Sequence, residues 1–239
     1  MLFIPVLSTI VTFIFAASVL NRYNRRKGNH LLLWGIGLIF FGLGTLSEVV
    51  LSITFSELML KIWYISGAMM TAAWLGQGTV WLLIRRPKVA AISTYILAAV
   101  SLLAIILVAS APLTEAAALY NTARPISDQY KEILTRNSPI IILTILLNIY
   151  GTITLVGGAI YSAYLFWRKR VLLNRVIGNI LIAAGAMFPA IAGSFIGAGM
   201  IDWLYISELL GVILMYFGFL QATRQPQVQT RSDAMPAVQ

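Results

Sequence analysis

Two glutamates stand in stretches that are otherwise apolar, Glu48 before Val49-Val50-Leu51 and Glu208 after Leu204-Tyr205-Ile206-Ser207. A carboxylate surrounded by hydrocarbon is costly unless it is paired, protonated or near water, so each needs a reason to be there. Two such groups at one depth form a proton-responsive or cation-binding pair; two separate ones snorkel to a headgroup boundary or pair elsewhere, with Lys61 the nearest cation in sequence for Glu48. Neutral polar side chains extend the set: Gln77, Asn148, Thr152 and Asn179. Asn148 and Thr152 are four apart and share a helix face. Trp74, three positions before Gln77, adds an indole suited to a flat or apolar ligand. Each of these also has a packing role open to it, because amides, hydroxyls and indoles hold apolar helices together. The candidate ligand-binding set is therefore Glu48, Trp74, Gln77, Asn148, Thr152, Asn179 and Glu208.

Other chemistries are closed. The chain has no cysteine and a single histidine, His30, which removes thiol nucleophiles, thioether haem, iron-sulfur ligation and a histidine-based metal centre. No zinc-protease pattern, phosphate loop, dinucleotide fingerprint or serine elbow occurs, so an enzyme assembled from membrane carboxylates is the weakest of the readings, and no metal site is expected.

The elements that must position these residues follow from composition. Of 239 residues 59% are hydrophobic and 10% charged, against about 25% charged in a soluble domain. Only a chain that uses lipid as part of its solvent can bury so much. Seven apolar runs match the roughly 20 helical residues that cross about 30 Å of hydrocarbon: 3–20, 31–53, 59–84, 89–110, 139–167, 176–197 and 203–220. Unpaired amides are not tolerated in hydrocarbon and no alternating barrel strands occur, so the fold class is an all-α integral membrane seven-helix bundle. Ala16-Ala17-Ser18 resembles a signal cleavage site, but nothing basic precedes the first run, and it reads as a retained anchor.

Orientation is written in the basic residues. With the N-terminus outside and the C-terminus inside, Arg22, Arg25, Arg26, Lys27, Arg85, Arg86, Lys88, Arg168, Lys169, Arg170, Arg175, Arg224 and Arg231 face the cytoplasm. Only Lys61, Arg124, Lys131 and Arg136 face outward. The net charge of +9 thus belongs to membrane orientation, and no nucleic-acid partner is expected. Glu48 and Glu208 each fall about five residues inside the outer ends of their runs, at a common depth of about 8 Å. Trp63, Tyr64, Trp203 and Tyr205 are expected in an outer aromatic belt, and Trp34, Trp81 and Trp167 in an inner one. Residues 111–138 form the one long outer connection, with residues 114–120 forming a small surface helix before Pro125. Residues 221–239 read as a disordered cytoplasmic tail.

Shifting the chain by 141 residues lays Trp63-Tyr64-Ile65-Ser66 on Leu204-Tyr205-Ile206-Ser207, Ile36-Gly37 on Ile177-Gly178 and Gly44 on Gly185. This makes helices one to three and five to seven candidate parallel repeats joined by the fourth. The plan resembles small sugar and vitamin carriers built as three-plus-one-plus-three helices. Microbial rhodopsins share the count and orientation, but a retinal Schiff base needs a lysine in the seventh helix, and 203–220 has none. The sixth run is rich in small residues, Gly185, Gly193 and Gly197 among them, and carries Pro189, which removes one backbone bond.

Two functions fit. One is a small receptor, ligand-binding module or accessory subunit holding an apolar or amphiphilic molecule within the bundle, with any signal passing to a membrane protein partner through Arg168-Lys169-Arg170 or the tail. The other is a secondary carrier for a small solute, coupled to protons through the glutamates. Short loops and the missing targeting peptide point to a prokaryotic cell membrane, with lipids as constant partners.

Overall fold

The computed structural model of the chain describes residues 3–168, 173–195 and 202–223. Among these the chain is all helical, and its only extended pairing is an isolated bridge between Leu113 and Leu134. Lys169, Arg170, Gly197, the surroundings of Gly193, the side chain of Trp203, and the tail beyond 223 lie outside the described residues.

Helix α1 (Phe3–Arg26) continues past its apolar run until Lys27 takes a left-handed conformation (φ 51°), its amide bonded to Tyr23 O at 2.7 Å. α2 (Asn29–Leu51) follows at once. Ser56 opens α3 (Glu57–Leu83) by accepting the Met59 amide, with Glu57 in the favourable first turn. α4 (Pro87–Ala109) begins on proline, whose missing N–H costs nothing there. A short α5 (Ile126–Ile133) lies in the connection to α6 (Ser138–Arg168), which Asn137 caps by accepting the Ile140 amide. α7 (Leu173–Phe195) and α8 (Asp202–Thr223) complete the chain. α3 and α6 each contain a π-helical stretch, Tyr64–Met70 and Ile153–Gly157.

Six of these helices, α1, α2, α3, α4, α6 and α8, are long and apolar enough to cross a membrane. Their outward faces agree: α4 exposes Ile92, Ile96, Leu102 and Ile106, and α6 exposes Ile142, Ile145, Leu146 and Ile149. Apolar surface that extensive needs lipid or another protein against it.

Packing is closest where side chains are smallest. A Cβ on Gly151 would come within 2.3 Å of the Ala72 backbone, so α3 and α6 touch main chain to main chain. At Gly185 the same atom would lie 2.6 Å from Gly211 O, which draws α7 onto α8. Phe15 packs on Tyr216 and Phe219 with ring centroids 5.0 and 5.6 Å apart, and Arg22 Nη2 donates to Thr223 O at 3.4 Å. These contacts advance in step along both helices, so α1 and α8 run parallel.

The bundle has two unlike ends. One carries Arg22, Arg25 and Arg26. Residues 111–138 fold over the other, where the small surface helix expected at 114–120 is a 3-10 turn, Glu115–Leu119. The ordered helix is instead α5, whose Ile126, Gln129 and Ile133 turn inward. Thr114 N bonds Ile133 O at 2.9 Å, Thr135 N bonds Pro112 O at 3.1 Å, and Gln129 Nε2 ties down Asn121 O and Arg124 O, both at 2.9 Å. Tyr120 donates its hydroxyl to Leu51 O at 2.9 Å, and burial pushes that phenol up to about 12. The connection is thus a folded cap.

Candidate functional site

Beneath this cap lies a cavity of about 320 Å³, walled by α2, α3, α6, α7 and α8 and roofed by Ser127 and Tyr130 of α5. Four of the seven candidate residues meet on it: Glu48, Asn148, Thr152 and Glu208. Apolar walls come from Phe41, Leu75, Leu155, Val156 and Met215.

Glu48 is 4% exposed, and its Oε1 accepts the Trp63 indole N–H at 2.9 Å. Glu208 reaches the same space from α8, and the two carboxyl groups lie within hydrogen-bonding reach of each other. Oε2 of each is out of solvent and has no donor. Two acceptors set face to face satisfy neither one unless a proton or a cation comes between them. Ser127 Oγ is a third buried atom without a partner on this cavity. Among the described residues five buried polar side-chain atoms lack partners, and three of them line this one space. Each buried polar group left without a partner calls for a physical explanation, and here three of them share one space.

Among the described residues no basic side chain pairs with the two carboxyls. Lys61 pairs with Glu57 at 2.7 Å and donates to Ala109 O at 2.8 Å. Arg136 lies over the Tyr130 ring, 5.0 Å from its centroid. Burial raises the Tyr130 phenol above its ordinary range, with Arg136 acting in the opposite direction.

The expectation that Trp63, Tyr64 and Tyr205 form a lipid-facing belt is corrected: their exposures are 7%, 1% and 8%, and they face the interior at the capped end. Trp63 stacks on Tyr130 at 5.1 Å, Tyr64 on Tyr130 at 5.7 Å, and the Tyr64 hydroxyl meets Thr144 Oγ1 at 3.0 Å. Folding of the cap supplies the partners that turn these rings inward.

Asn148 donates to Ala68 O at 2.7 Å, inside the π-helical stretch of α3, and to Thr144 O at 2.8 Å. Its N–H groups are therefore spent on the wall, at a wide turn of the sort often kept at functional sites. Thr152 lines the cavity and is exposed. On its capped side Glu48 also borders a second cavity, of about 300 Å³, bounded by Ser52, Tyr120, Arg124 and Tyr205.

The other three candidates lie elsewhere, in contacts between helices. Gln77 Nε2 donates to Ser93 Oγ at 2.9 Å and Thr94 Oγ1 at 2.8 Å, while its Oε1 accepts the Tyr150 hydroxyl. Trp74 donates to Ser101 Oγ at 3.1 Å, and Asn179 Nδ2 to Ser162 Oγ at 2.9 Å.

Sequence reasoning missed Ser127, Tyr130 and the inward role of Trp63. A signal for the first two existed: Ile126, Gln129, Tyr130 and Ile133 recur on one helical face immediately after Pro125. Comparison with known protein families, curated proteins and solved structures finds no match.

Proposed function

We propose that this chain is a membrane ligand-binding module, the sensing part of a receptor or an accessory subunit, whose capped cavity holds a small apolar or amphiphilic molecule. The observation that carries the reading is Glu48: a carboxyl 4% exposed, with one oxygen lacking any donor, on a cavity of about 320 Å³ with mostly apolar walls. Ligand sites are small concavities of this kind, apolar in the main with a few polar groups. The second cavity supports an approach from the capped end.

In this reading the chain crosses a prokaryotic cell membrane seven times, with its N-terminus outside. α7, of 23 residues, is the additional crossing. The parallel run of α1 and α8 supports an odd count, since alternating passes bring the first and seventh helices into the same direction. The basic clusters then share the cytoplasmic face.

Native mass spectrometry after mild extraction tests the function. A nonrandom mass should stay with the wild-type chain, leave when Ala68→Phe fills the cavity, and persist in Gln77→Leu. Retention unaffected by Ala68→Phe would remove the cavity from the account.

A carrier is the second reading, favoured by one observation. Gly44 and Gly185, matched by the 141-residue shift, each meet the next helix at its backbone, a Cβ falling 2.9 Å from Gly67 Cα and 2.6 Å from Gly211 O. Equivalent crossings are what internal repeats produce. Uptake of the retained molecule into proteoliposomes would favour the carrier; binding without flux would leave the module.

A further inference from the structure

The bound molecule's charge and donor count follow from the atoms the cavity leaves unsatisfied. We propose that it is a primary amine in its ammonium form on a small apolar body, with the nitrogen held among Glu48, Glu208 and Ser127. This deepens the ligand-binding reading and rests on it.

Charge comes first. Among the described residues that line the cavity, Glu48 and Glu208 are the only carboxyl groups, and no lysine, arginine or histidine joins them. Of the cations at the capped end, Lys61 pairs with Glu57 and Arg124 with Asp128, while Arg136 lies on the Tyr130 ring and is not among the residues lining the cavity. An anionic ligand would meet like charge with no compensation, and a neutral one would leave the carboxyl pair to be answered by a shared proton alone. A cation answers them.

Size separates an organic cation from a metal ion. A bare ion fills a small fraction of about 320 Å³ and gains nothing from Phe41, Leu75, Leu155, Val156 and Met215. A hard metal ion also wants about six oxygen ligands or retained waters. An alkyl or aryl body uses those walls, and a single charged end suits the polar cluster at the capped side.

Donor count separates a primary ammonium from a quaternary one. Quaternary ammonium groups have no N–H and are recognised by open aromatic faces. At the capped side, beside the carboxyls, the rings are engaged: Tyr130 carries Arg136 at 5.0 Å and packs on Trp63 and Tyr64, and the Trp63 N–H is committed to Glu48. What remains open is three atoms able to accept, the carboxyl oxygens Glu48 Oε2 and Glu208 Oε2 and the hydroxyl oxygen Ser127 Oγ, whose own O–H is free to turn towards a carboxyl. A primary ammonium brings three N–H donors. Trp63 then acts as a positioning residue, fixing one Glu48 oxygen so that the other points to the ligand.

The test is equilibrium binding to the full chain in nanodiscs, with empty discs subtracted for bilayer partition, using n-octylammonium, n-octyltrimethylammonium, n-octanol and n-octanoate. Octylammonium should bind at least tenfold tighter than each of the other three, and Glu48→Gln, Glu208→Gln and Ser127→Ala should each weaken it while leaving octanol unchanged. Equal binding of octylammonium and octyltrimethylammonium would overturn the primary-amine assignment, and equal binding of octylammonium and octanol would overturn the cation altogether. Either result leaves the amphiphile cavity standing provided Ala68→Phe abolishes the binding. Absence of saturable binding by any probe would overturn the proposal and the ligand-binding reading together. The wild-type series needs no variant, so a misfolded glutamate replacement cannot decide the outcome.

Discussion

Two polar clusters inside this bundle use similar residues to opposite effect. Around Gln77, every polar group met is spent on another: the amide on Ser93 and Thr94, its oxygen on the Tyr150 hydroxyl, and the Trp81 indole on Thr94 at 2.7 Å. Around Glu48, three buried acceptors are left over and an open volume adjoins them. Both sets lie deep in apolar surroundings, so depth and polarity do not distinguish a seam from a site. Satisfaction does. A closed network holds helices α3, α4 and α6 in register, whereas the open one, in the function proposed above, keeps its hydrogen-bonding capacity for a ligand.

If that distinction holds, removing the closed network should cost stability and spare binding. Gln77→Leu leaves Tyr150, Ser93 and Thr94 each short of a partner, and we expect thermal unfolding in detergent to show a loss of about 1–2 kcal/mol with ligand retention unchanged. A loss of retention there would merge the two clusters into one site. Trp63→Phe acts at the other cluster. It keeps the packed ring but frees Glu48 Oε1, and we expect a smaller stability change, about 1 kcal/mol or less, with ligand retention clearly reduced. Asn179→Leu removes one bond at the α6–α7 seam and should cost about 0.6 kcal/mol, without effect on retention. At neutral pH the smallest effect concerns the cap, because it emerges only in alkali. The Tyr120 phenol is raised to about 12 from an ordinary 10.0, so the freed cap ionises first as pH climbs. The docked, protonated form is therefore undiminished below pH 10 and loses stability between 10 and 12. Ultraviolet titration should place this tyrosine in that window, and Tyr120→Phe should remove the step.

The helices were largely legible because a run of apolar residues long enough to cross hydrocarbon has few alternatives to a helix. Which face of each helix points inward was not. In a chain this apolar, lipid-facing and core-facing sides are both rich in Ile and Leu, and periodicity carries little contrast. Trp63 illustrates the consequence: an aromatic near a helix end reads as belt, and only the folded cap, supplying Tyr130, makes it interior. Glu48 and Glu208 were legible as candidates because a carboxyl in an apolar run is conspicuous without any knowledge of its neighbours. That they meet on one cavity required the tertiary arrangement, as did the separation of Trp74, Gln77 and Asn179 from it. The π-helical stretches left no sequence mark, since they express how α3 and α6 accommodate each other at Gly151 and Asn148.

Labelling by a hydrophobic carbodiimide, mapped by peptide mass spectrometry, bears most directly on the open cluster. The reagent enters apolar cavities and adds to carboxyl groups there, while water-facing glutamates are poor targets. The account predicts adducts at Glu48 or Glu208, suppressed by prior addition of octylammonium, with Glu57, Glu115 and Glu132 unmodified. Modification confined to those three, or modification of Glu48 and Glu208 that the amine leaves unchanged, would contradict it.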